Sequence, residues 1–105
     1  MAEPLVSVGA NRHVFVLDQP WPVGMVTGLE DSGGFILEAF VVFTGSPRAV
    51  VRAMLDTARE RGYAHIRYRL PVDFPLTPKL RRLAERVGFA VYAVSTEYVD
   101  LVWRP

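Results

Sequence analysis

The chain has 105 residues, half of them hydrophobic, with 12 basic and 11 acidic side chains and no cysteine. That size suits one small domain over residues 1–105; the composition excludes a disordered tail, and the lack of cysteine excludes disulfides and thiolate chemistry. A formal net charge of +1 gives no general pull toward nucleic acid, and the apolar runs stop short of the roughly 20 residues that cross a membrane. MAEPLVSVGANRH lacks the basic start and apolar core of a signal peptide, so a cytoplasmic location is expected.

LVSVG (5–9) and HVFVLD (13–18) read as short strands on either side of an ANR turn. QPWP (19–22) is a second turn, because two prolines around Trp21 do not fit a central ladder. VGMVTGLE (23–30) is a third strand, with Gly24 and Gly28 marking possible bulges. DSGG (31–34) is a hairpin turn and FILEAFVVF (35–43) a fourth strand. Ser46 and Pro47 then suit the start of a helix, Val50, Met54 and Ala58 with Val51 and Leu55 form its apolar stripe, and Gly62 ends it. Arg52 and Asp56 are spaced as an i,i+4 ion pair.

AHIRYRL (64–70) alternates as a strand does, and PVDFPLTP (71–78) is a proline-rich loop. Thr77 and Pro78 repeat the Ser46–Pro47 pattern, and Leu80, Leu83, Ala84 and Val87 line a second helix that ends at Gly88. FAVYAVSTEYVDLVW (89–103) is either one long strand or a hairpin bent near Ser95–Thr96, with Trp103 in the core. The expected fold is therefore α/β, with the order β-β-β-β-α-β-α-β(-β). It has a single mixed, mostly antiparallel sheet of six to seven strands and two helices. The crossover from FILEAFVVF to AHIRYRL makes those two strands parallel.

RAMLDTARERGY resembles the central helix of the GNAT superfamily of acyl-CoA-dependent N-acetyltransferases, and LRRLAERVGF resembles its following helix with a terminal Gly-Phe. The resemblance spans residues 13–103. The short, truncated form also resembles small GNAT-like proteins encoded by tailed bacteriophages, some of them virion parts. The resemblance implies a CoA pyrophosphate turn at the start of the central helix, with Ser46, Ala49 and Val51 at its key positions. The Val51 side chain would then stand in the phosphate path. The general-acid tyrosine of the family falls on Ala84, and a frequent asparagine falls on Thr77. Glu38 lies where several members place a carboxylate; between Leu37 and Ala39 it is expected to be buried, with a raised pKa, as a general base. The competing reading pairs Glu38 with Arg67 or Arg69.

Two apolar sheet faces and only two helices imply that another copy or a larger assembly covers one face. Trp21 and Phe74, in proline-bounded loops, are candidate interface anchors. His65, Arg67 and Arg69 on one strand, and Lys79, Arg82 and Arg86 on the second helix, could meet an acidic partner or CoA phosphates. No metal-ligand spacing is present. On these grounds the expected function is a non-catalytic interaction or assembly module, a homo-oligomer or part of a virion, with no cofactor. The alternative is an N-acetyltransferase that binds acetyl-CoA through an atypical loop of Phe43, Thr44, Gly45 and Ser46, with Glu38 as its catalytic residue.

Overall fold

The computed structural model describes residues 4–8, 12–17 and 23–105. Four strands come first: β1 (Pro4–Val8), β2 (Arg12–Leu17), β3 (Gly24–Asp31) and β4 (Gly34–Val42). They are followed by α1 (Pro47–Arg61), β5 (Ile66–Pro71), α2 (Thr77–Arg86), β6 (Ala90–Val94) and β7 (Tyr98–Trp103). The seven strands form one sheet in the order β1-β2-β3-β4-β5-β7-β6, and β4–β5 is its parallel pair. This is the α/β architecture the sequence implies, and the C-terminal segment resolves as a hairpin.

Local chemistry explains the junctions. Ser32 and Gly33 have φ of 52° and 76°, the left-handed pair that a two-residue β3–β4 hairpin requires. The Ser46 hydroxyl accepts the Ala49 N–H at 3.2 Å, Pro47 occupies the first turn, and Gly62 closes α1 at φ 74°. Val50, Val51, Met54, Leu55 and Ala58 are all buried, as the stripe demands. Asp56 pairs with Arg59 at 3.1 Å rather than with Arg52, since the i,i+3 neighbour is equally close on an exposed helix face. The start of α2 also departs from expectation. Its N-cap is Leu76 without a side-chain bond, while Thr77 is buried and its hydroxyl donates to the Pro71 carbonyl at 2.5 Å. Thr77 therefore ties the helix to the end of β5.

Both helices pack on one face of the sheet. Val51 and Met54 of α1 meet Leu80, Leu83 and Ala84 of α2 around Leu37, Phe40 and Tyr68. Ile66, Tyr68 and Leu70 point into this core, while Arg67 and Arg69 point to the other, open face. A register shift rearranges β4: Thr27 faces Ala39 and Gly28 faces Leu37, so Glu38 is an extra, bulged residue. Inward positions change from Phe35 and Leu37 to Phe40 and Val42. Leu37 and Phe40 thus share the core face instead of lying on opposite faces, and Glu38 and Ala39 both face outward and are exposed.

Candidate functional site

β4 and β5 pair only from Phe35–Ile66 to Leu37–Tyr68. Beyond that point β4 continues to Val42 held by β3, and β5 continues to Pro71 held by β7. The two strands therefore part at the level of the bulge. On its β5 side the last stretch of β4 presents backbone donors and acceptors that no strand receives among the described residues.

A groove of about 750 Å³ occupies this opening. Glu38, Ala39 and Phe40 line it from β4, and Tyr68 from β5. Phe74, Leu76, Leu80 and Leu83 supply an apolar wall. Ser46, Pro47 and Arg48 reach it from the start of α1, and Lys79 and Arg86 from α2. Three cations and one carboxylate therefore border a largely apolar cleft.

The candidate residues meet this groove unequally. Glu38 stands at its lip but is exposed, so the burial expected of it is absent because the bulge turns it outward. The two arginines proposed as its partners are bound to aspartates: Arg67 to Asp31 at 2.8 Å and Arg69 to Asp100 at 2.7 Å. Ser46 lines the groove, while the Phe43 and Thr44 amides donate to the Val23 carbonyl at 2.9 and 3.3 Å. Val51, 5% exposed, points into the core and leaves the start of the helix clear of its side chain, which corrects the expected obstruction. Phe74, 43% exposed, lies on the groove. Trp21 lies outside the described residues.

Sequence reasoning missed Tyr68 and Arg48. In AHIRYRL, Tyr68 reads as an inward core residue, and only the parallel register places it at the last pair before the strands part. It is 9% exposed, burial pushes its phenol pKa up, and its hydroxyl makes no hydrogen bond among the described residues. Ala84, at the family's tyrosine position, is buried in the core. Among the described residues no cluster of His, Asp and Glu could hold a metal ion, and no helix is long and apolar enough to cross a membrane.

No protein-family model and no curated protein matches the sequence. Solved structures share its fold. The IAA acetyltransferase from Bacillus cereus superposes with a TM-score of 0.68 at 12% identity, over 90% of this chain and 79% of that one. The ribosomal-protein-S18-alanine N-acetyltransferase from Escherichia coli gives 0.67 at 13% identity, over 92% and 71%. A Bacillus subtilis acetyltransferase in complex with CoA gives 0.69 at 12% identity, over 90% and 78%. The fold is GNAT-like, as the resemblance implies. These likenesses overturn the expectation of a non-catalytic assembly module and favour its alternative, since the neighbours are acetyltransferases. One neighbour was solved with CoA, which fits the alternative's acetyl-CoA and not the expectation of no cofactor. The likeness to phage proteins gains no support from these structures.

Proposed function

We propose that the chain is an acyl-CoA-dependent N-acetyltransferase. The observation that carries this reading is the parting of β4 from β5 after Leu37–Tyr68, with a groove bordered by Glu38, Tyr68 and three cations. When bound, acetyl-CoA supplies an acyl group already activated as a thioester. The open side of β4 suits an extended, amide-bearing chain, which can hydrogen-bond to it as an added strand would. Phe40, Leu80 and Leu83 give that chain apolar contact, and Arg48, Lys79 and Arg86 suit its phosphates.

The start of α1 contributes less than a glycine-rich cradle would. Pro47 has no N–H, and Ser46 takes up the Ala49 amide, which leaves the Gly45, Ser46 and Arg48 amides for an anion. On the open face Glu38 accepts the proton of the incoming amine, directly or through water. Tyr68, kept protonated by its burial, holds a proton at Oη on the opposite side of the opening, where a departing thiolate needs one. The two residues thus divide base and acid roles across the parted strands.

Native mass spectrometry with and without acetyl-CoA tests the reading. A discrete acetyl-CoA complex supports it, and its absence at millimolar ligand overturns it. Glu38→Gln should then lower kcat by about 100-fold with acetyl-CoA affinity retained. Undiminished turnover in that variant would remove Glu38 from the mechanism.

A further inference from the structure

A second concavity, of about 430 Å³, lies at the other end of β5. Asp31, His65, Arg67, Tyr92 and Arg104 border it, and Val102 contributes its apolar part. Three of these groups are basic against one carboxylate. The Arg67 capacity is not exhausted: one Nη bonds Asp31 at 2.8 Å, and its buried Nε has no partner among the described residues. The side chains of His65 and Arg104 make no hydrogen bond or ion pair among the described residues. His65 is also placed by packing. Its imidazole lies where a Cβ on Gly34 would stand, with Nε2 only 2.3 Å from that position, so the absent side chain at 34 lets the ring settle against β4.

This basin shares a face with Glu38. Arg67 lies opposite Ile36 on β4, and Val102 lies opposite Arg67 on β7, all on the side away from the helices. From Glu38 to Ile36 is two residues and to Gly34 four, or about 7–13 Å along the strand. The surface between carries Ile36, with Leu29 of β3 beside it, both half-buried.

We infer that the basin holds an anionic group on the acceptor substrate, a carboxylate or phosphate, while the acceptor's amine lies at Glu38. The substrate class is thus an amine with an anion about 7–13 Å away across an apolar spacer. This inference rests on the acyltransferase reading and deepens it. Charge-assisted bonds from Arg67 and Arg104 select such acceptors over amines of the same length that lack the anion.

The test compares 6-aminohexanoate, 5-aminopentyl phosphate and hexylamine, first by NMR of the His65 ring and arginine Nε–H signals, then as acetyl acceptors. The two anionic amines should shift those signals and exceed hexylamine in kcat/KM by about ten-fold or more. Their ratio to one another separates a carboxylate site from a phosphate site. Arg67→Gln and Arg104→Gln should each lower the preference for anionic acceptors, while Arg81→Gln, paired with Glu85 on α2 and bordering neither concavity, should keep it. Equal kcat/KM for acceptors with and without the anion, with no basin shifts, overturns the inference and leaves the acyltransferase reading standing. Failure to bind acetyl-CoA overturns that reading instead, and basin shifts that persist in that case identify an anion site unconnected with acyl transfer, which also refutes the inference.

Discussion

Replacing Val51 with glycine separates two pictures of the start of α1. If the side chain stood in the path of a bound phosphate, its removal would improve acetyl-CoA affinity at little cost to folding. In the structure it is 5% exposed and shares its surroundings with Leu37, Phe40, Met54 and Tyr68. Losing a fully buried valine side chain costs about 1.5–3 kcal/mol, and glycine in place of valine inside a helix adds a few tenths. The sum, about 2–3.5 kcal/mol, is a large part of the roughly 5–15 kcal/mol that holds a domain of this size together. At about 4–8 °C per kcal/mol, the melting temperature should fall by roughly 8–28 °C. Thermal and urea unfolding followed by circular dichroism measure this directly, with Val51→Ala as an intermediate case. A loss below about 1 kcal/mol, or tighter acetyl-CoA binding at a temperature where both proteins are folded, would refute the core assignment of Val51.

Ser46→Ala removes the hydroxyl that caps Ala49 and should cost about 1 kcal/mol, read as a shift in the urea midpoint at constant m. Glu30 receives hydrogen bonds from Tyr63 and Arg61, and its carboxyl is held below its ordinary range chiefly by the Tyr63 hydroxyl. Its folded pKa is below its unfolded one, so its stabilisation is present above about pH 4.5 and lost as pH falls through the folded value; the stability gap between wild type and Glu30→Gln should close in acid. Tyr63 has the opposite sign: burial first, then Glu30, pushes its pKa up to about 12. The Tyr63 contribution, measured against Tyr63→Phe by alkaline unfolding, should be complete below about pH 10 and vanish as pH approaches 12. Gly28→Ala places a Cβ 2.2 Å from the Ile36 carbonyl oxygen and 2.5 Å from the Phe35 ring, and should cost about 3 kcal/mol in chemical unfolding.

Local signals carried much of this protein. Ser46, Pro47 and Gly62 bound α1 because capping and left-handed backbone are properties of single residues, and the stripe from Val50 to Ala58 shows its buried face through helical spacing alone. DSGG announces its hairpin for the same reason. The parting of β4 from β5 has no such signature. It depends on a register shared by strands about 30 residues apart and on a bulge measured against β3, so FILEAFVVF looks like an uninterrupted strand and Glu38 like a buried member of it. Tyr68 likewise reads as core until the parallel pairing puts it at the last rung. Alternation tells which residues share a face, but one extra residue reverses it, and only the neighbouring strand reveals where that residue is. The amino-acid order thus determined the elements and their succession, while tertiary pairing decided where the sheet opens and which side chains border the opening.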